Sequence, residues 1–181
     1  MRKLPLLSSS AMSHHPPLSL YHVAHRRNRL WSPRGRIGRL QYCNRALMAG
    51  LIYNVVSYLP FLLGYLSIDV MTLEIFFYIG SMYLVFSLAL GAFVALQAKR
   101  RLNDQNRSGW TLILAVFPIV NVWLICTIIF ARGTPGSNGF GPAPPPPTRS
   151  ERRHFWYLLI AHIALFVAIM QYAPVHLNAT L

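Results

Sequence analysis

Four stretches of this chain, residues 46–68, 75–98, 108–131 and 154–181, hold no Asp, Glu, Lys or Arg and are rich in apolar side chains. Each exceeds the roughly 20 residues that a helix needs to cross a hydrocarbon core about 30 Å thick. Backbone polar groups in lipid must satisfy one another within the segment, so blocks of this length fold as helices. The pattern predicts an all-α, polytopic membrane bundle of about four transmembrane helices. Composition agrees: charged residues make up only 12% of the chain, about half the usual share in soluble domains.

Seventeen Lys and Arg stand against four Asp and Glu. The basic residues flank the apolar blocks, so they read as topology signals and contacts to anionic lipid headgroups. They lack the basic-plus-aromatic groove pattern of nucleic-acid binders, and no nucleic-acid partner is expected. Cys43 and Cys126 are too far apart to suggest a metal motif or a disulfide framework.

Along the chain, residues 1–33 read as a disordered basic tail. The run Leu4–Leu7 is too short for a signal peptide and contains Pro5, and Met12 is a second candidate start. In "RGRIGRLQYCNRALM", Arg34 to Met48, apolar and basic residues alternate as in a short helix lying in the headgroup layer. Spanning helices are expected at about 47–66 and 75–97. Ser87, Gly91 and Ala95 on the second form a small-residue seam suited to helix association, with Gly80 on the same face. The third block, about 110–130, carries Pro118 and Asn121 at mid-depth. It fits either a kinked span or a re-entrant hairpin of two half-length helices. A Gly- and Pro-rich turn follows at 133–142. Residues 143–154 form a linker with a polyproline spacer, Pro144–Pro147, and a last spanning helix is expected at about 155–173.

Nine basic residues lie in 1–45, four in 99–109 and four in 131–154, while the 67–74 connection has Asp69 and Glu74 and no basic residue. The N-terminus and the 99–109 loop are therefore expected in the cytoplasm. A fully spanning third block puts the last four arginines outside, and a re-entrant one puts all seventeen basic residues inside. Charge favours the second reading. Block length favours the first, and four full spans is the expectation it gives.

"GRIGRLQY" before the first helix, "RRLNDQNRSGW" before the third block and "GTPGSNGFGP" after it resemble three signatures of the domain of unknown function 805 family, which are bacterial inner-membrane proteins. The central pattern, roughly Arg-Arg-Leu-His-Asp-x-Gly-Arg-Ser-Gly-Trp, matches at Arg100, Arg101, Leu102, Asp104, Arg107, Ser108, Gly109 and Trp110. It departs at Asn103, usually His, and at Asn106, usually Gly. The last signature matches at Pro135, Gly136, Asn138 and Gly141, with Phe140 in place of Tyr. The resemblance covers about residues 34–142, a family membrane domain with three apolar helices. It implies a bacterial inner-membrane location and supplies no molecular function. If a His–Asp pair served relatives in proton or metal chemistry, Asn103 could not replace it, because an amide does not titrate.

No catalytic, cofactor or metal set is expected. Asp104 among Arg100, Arg101 and Arg107 is a candidate lock, with Arg36, Arg39 and Arg45 arriving on the same side and Ser108 capping the next helix. Arg36, Arg39, Arg100, Arg101, Asp104, Arg107, Ser108, Gly109, Trp110, Asn138 and Gly141 thus form a structural motif. His14, His15, His22 and His25 sit in a flexible segment without Cys or carboxylate partners. Asn54, Asn121 and His162, at mid-depth, read as interhelical hydrogen-bonding groups. The expected protein is a non-enzymatic assembly or partner-subunit component, self-associating or bound to a membrane partner. The alternative is a small transporter or channel acting as an oligomer.

Overall fold

The computed structural model describes residues 30–62 and 72–179, with side chains at 30–58 and 72–171. The tail 1–29, with its histidines and both candidate starts, lies outside the described residues, as do Gly64 and Asp69. The described residues from Trp31 onward form one compact unit. Its elements are α1 (Arg39–Leu62), α2 (Leu73–Asp104), a 3₁₀ helix (Gly109–Val116), α3 (Pro118–Phe130) and α4 (Arg149–Ala179). No strand forms among the described residues beyond an isolated bridge between Asn138 and Gly141. Two helices, Leu73–Asp104 and Arg149–Gln171 within α4, are long and apolar enough to cross a membrane.

Polarity in this unit is inverted relative to a soluble domain. Its largest fully buried side chains include Arg100, Arg101 and Gln97, while Leu73, Phe76, Phe77, Leu84, Val85 and Leu88 along α2 are exposed. Buried arginines and an apolar exterior are costly in water. A lipid surround removes the second cost, and paired charges reduce the first.

Helix directions follow from side-chain contacts. Arg45 Nη1 donates to Gln97 Oε1 (2.7 Å) and Tyr83 Oη donates to the Val56 carbonyl (3.0 Å), so α1 and α2 run antiparallel. Gln41 and Asn44 donate to Glu151 (3.1 and 2.9 Å), and His162 Nε2 sits 3.2 Å from where a Cβ on Gly50 would lie. Therefore α1 and α4 run parallel. The α4 start is a capping box: Glu151 N donates to Thr148 Oγ1 (3.1 Å) and Thr148 N donates to Glu151 Oε2 (2.8 Å).

Several expected boundaries are corrected. Residues 34–48 are not a separate headgroup-layer helix, because Arg36 and Ile37 are both buried and have no solvent side to present. The helix begins after Gly38 and runs unbroken from Arg39 to Leu62. Nor does α2 end near residue 97: it runs on through Lys99–Arg101 to Asp104. A change of backbone sign ends it: Asn106 takes φ 58°. Arg107 N donates to the Leu102 carbonyl (2.9 Å) and Asn106 N to that of Asn103 (3.1 Å), the paired bonds of a Schellman ending. At the far end, α4 begins six residues before position 155 and runs past Pro174 to Ala179. One missing N–H donor does not stop it.

The third apolar block is not one through-going helix. Phe117 is extended (φ −87°, ψ 118°), and Pro118 begins α3 at a position where its missing N–H costs nothing. The 3₁₀ piece spans about 16 Å and α3 about 20 Å, each short of a hydrocarbon core. Both ends of the block lie together. Arg101 donates to the carbonyls of Ile128 (3.1 Å) and Ala131, and Thr134 N donates to that of Asp104 (2.8 Å). The block leaves this end of the bundle and returns to it. Ala98, Leu102, Leu124 and Ile128 form the apolar core under the return, with Tyr42, Leu112 and Ala115 against it.

Candidate functional site

The polar end of the bundle is built around Asp104, which is only 3% exposed on the last turn of α2. Arg36, in the extended stretch before α1, donates to Asp104 Oδ1 from Nε (3.1 Å) and Nη2 (2.9 Å). Arg101, one turn before Asp104, donates from Nη1 to the other oxygen, Oδ2. Two guanidinium groups thus share one carboxylate, with one oxygen each.

Arg36 uses every donor it has. Besides the two bonds to Asp104, Nη2 donates to the Thr134 carbonyl (2.7 Å) and Nη1 to those of Gly136 (2.8 Å) and Gly141 (3.1 Å). Five bonds from five N–H groups is the full capacity of a guanidinium. The arginine that enters from the first loop therefore holds the turn at 134–141 in its fork.

That turn is shaped to receive it. A Cβ on Gly133 would lie 2.0 Å from Asp104 Oδ2, so only glycine lets the backbone pass the carboxylate. Gly136 (φ 69°) and Gly141 (φ 127°) take backbone conformations that side chains disfavour. Asn138 ties the turn down. Its Nδ2 donates to the Asn103 carbonyl and to Thr134 Oγ1 (both 2.9 Å), and its Oδ1 accepts from Phe140 N (2.9 Å).

The remaining motif residues are placed around this centre and do not bond to Asp104. Arg39 donates to the Phe130 carbonyl (3.3 Å) and Arg45 to Gln97. The guanidinium of Arg107 lies 5.2 Å over the ring of Trp123. Arg100 is fully buried, and its carbonyl accepts from Ile37 N (3.4 Å). Ser108 is the N-cap of the 3₁₀ helix, its Oγ accepting from Trp110 N (3.4 Å). Gly109 packs on the Lys99 stem, and Trp110 is 79% exposed. Asn103 Nδ2 donates to the Gly35 carbonyl (3.2 Å), while its buried Oδ1 accepts nothing.

Sequence reasoning did not single out Gly133 and Thr134, although "RGTPG" directly follows the third block. The signal was a glycine beside a cationic loop facing a lone acid.

Chemically, the centre is saturated: both oxygens of Asp104 and all donors of Arg36 are engaged inside the protein. Among the described residues, no three His, Cys, Asp or Glu side chains come together in a group that could hold a metal ion. Asn54, Asn121 and His162 line neither of two open clefts at this end. His162 Nδ1 pairs with the Leu158 carbonyl (2.8 Å) in its own helix.

The family pattern described as protein of unknown function (DUF805) matches residues 30–142, more than half of the chain. The chain belongs to this family. All four residues of the Asp104 centre, Arg36, Arg101, Asp104 and Gly133, lie within the matched region. Inner membrane protein YhaH of Escherichia coli K12 is 46% identical over 46 residues, which cover 25% of this chain and 37% of YhaH. The YhaH of Escherichia coli O157:H7 gives the same identity over the same span. The chain thus matches little more than a third of the length of these curated relatives. No solved structure matches it.

Proposed function

We propose that this DUF805 member is a multi-pass inner-membrane protein that crosses the bilayer at α1, α2 and α4. Residues 109–130 dip into the cytoplasmic leaflet and return. The N-terminus and the Asp104 centre face the cytoplasm, and the end of α4 faces outward. The bonding of both ends of the third block to the α2 terminus supports this path, which also agrees with the charge rule because it keeps the basic 34–45, 99–107 and 132–153 segments on one side. The name of the Escherichia coli relative supports the membrane.

In this reading the protein is a non-enzymatic assembly component or partner subunit, and the saturated Asp104 centre carries that conclusion. A carboxylate that turns over substrate needs a free oxygen or a titrating partner, and this one is committed to two guanidinium groups. The centre joins the first loop, the end of α2 and the 134–141 turn into one rigid cytoplasmic platform. Gly80 and Gly91 on α2 meet nothing within 4 Å, which leaves room for a second helix against that face.

Sizing the detergent-extracted, tagged protein together with its co-purifying proteins tests the role. A defined complex with itself or with another membrane protein supports it. A solitary monomer that carries a solute across reconstituted vesicles contradicts it.

A further inference from the structure

A cleft of about 380 Å³ opens beside the signature turn, lined by Lys99, Asn103, Ser108, Gly109, Trp110 and Phe140. The Lys99 stem is held in place there. A Cβ on Gly109 would lie 2.6–3.0 Å from the stem's Cγ, Cδ and Cε, so the glycine forms its bed. Both described ion pairs belong to Asp104, so the Lys99 ammonium has no acidic partner among the described residues. Asn103, 97% buried, gives its Nδ2 to the Gly35 carbonyl, which fixes the amide's orientation and leaves Oδ1 as an acceptor without a donor. An orphaned buried acceptor is costly, and one on a residue that lines the same cleft as a cation without an acidic partner marks a place for a group with both an anion and a donor. Trp110, 79% exposed at the cleft, is the kind of side chain that gathers in the headgroup layer, which suits a lipid partner under the membrane reading above.

We propose that this cleft seats the headgroup of a phospholipid from the surrounding leaflet, with the phosphate on Lys99 and a headgroup N–H or O–H donating to Asn103 Oδ1. Phosphatidylethanolamine meets both demands. Phosphatidylcholine has the same phosphate and net charge but no N–H, and it meets only one. The aromatic side chains of Trp110 and Phe140 flank the glycerol region. The proposal rests on the membrane reading above.

The test uses the full chain in a neutral detergent and follows its unfolding midpoint during titration with phosphatidylethanolamine, phosphatidylcholine or inorganic phosphate. Phosphatidylethanolamine is expected to raise the midpoint at concentrations about tenfold lower than phosphatidylcholine, and inorganic phosphate is expected to leave it unchanged. Lys99→Met keeps the stem on Gly109 and removes the charge; it should weaken the phosphatidylethanolamine response about tenfold. Arg153→Met, a charge removed elsewhere on the same side, should leave the response intact. Equal responses to the two lipids, a Lys99→Met response equal to wild type, or a Lys99-dependent response to inorganic phosphate alone would each overturn the proposal. A protein that stays in solution without detergent would instead overturn the membrane reading, which keeps the two failures distinct.

Discussion

Arg36 and Asp104, 68 positions apart, meet with two donors on a single carboxylate oxygen, at 3.1 and 2.9 Å. The pair is buried and Arg101 completes it, so the two halves of the platform share one negative charge. Removing one partner of a buried ion pair typically costs about 3–5 kcal/mol, because the other charge remains buried without compensation. Asp104→Asn keeps the shape, removes the charge and leaves two guanidinium groups uncompensated. The unfolding midpoint of the detergent-extracted variant should fall by roughly 10 °C. Arg36→Lys keeps the charge but offers three donors for five acceptor contacts, and should lower the midpoint by a smaller, still measurable amount. An unchanged midpoint in Asp104→Asn would show that the centre holds nothing together.

The glycines divide into two sets with opposite expectations. In Gly133→Ala the new methyl meets the Asp104 carboxylate at 2.0 Å, and neither the backbone nor the doubly bound carboxylate can yield cheaply. This variant should accumulate poorly or unfold several degrees early. Gly91→Ala meets open space in the middle of α2, and helix propensity alone favours it by about 1 kcal/mol. Its midpoint should be equal or higher in the dissociated chain, where no second helix covers that face. Comparing both midpoints with wild type under the same extraction conditions checks the pair.

Asn106 holds φ 58° at the end of α2, a left-handed position that glycine and asparagine tolerate. Asn106→Gly should be close to neutral, whereas Asn106→Ala should cost about 1 kcal/mol and Asn106→Val more. Urea or thermal unfolding of the three variants gives the order directly, and equal stability across them would argue against the Schellman ending.

Much of this arrangement was legible in the residues. The charge-free blocks give the helices, and "RRLNDQNRSGW" with "GTPGSNGFGP" gives the family. Asn106 stands where the family pattern has glycine, and its left-handed backbone explains that preference. Less legible was which arginine would reach Asp104. Arg36, Arg39, Arg100, Arg101 and Arg107 look alike in one dimension, and only the path of the 134–141 turn decides which fork is filled. The third block left two paths open, a kinked span or a re-entrant hairpin. Twenty-four uncharged residues suffice for a span, but Pro118 supplies a ready helix start, and the carbonyls of Ile128 and Ala131 take buried donors from Arg101 at the end of α2. Local periodicity carries no record of such long-range bonds.

The path of residues 109–130 fixes the side on which α4 ends. Full-length protein carrying alkaline phosphatase, or in parallel green fluorescent protein, at its C-terminus measures that side directly in bacterial cells. A third block that returns predicts high phosphatase activity and no fluorescence, with the same reporters giving the opposite result when fused after residue 106. Fluorescence and an inactive phosphatase at the C-terminus would mean that the third block crosses the bilayer, and would contradict the three-crossing arrangement.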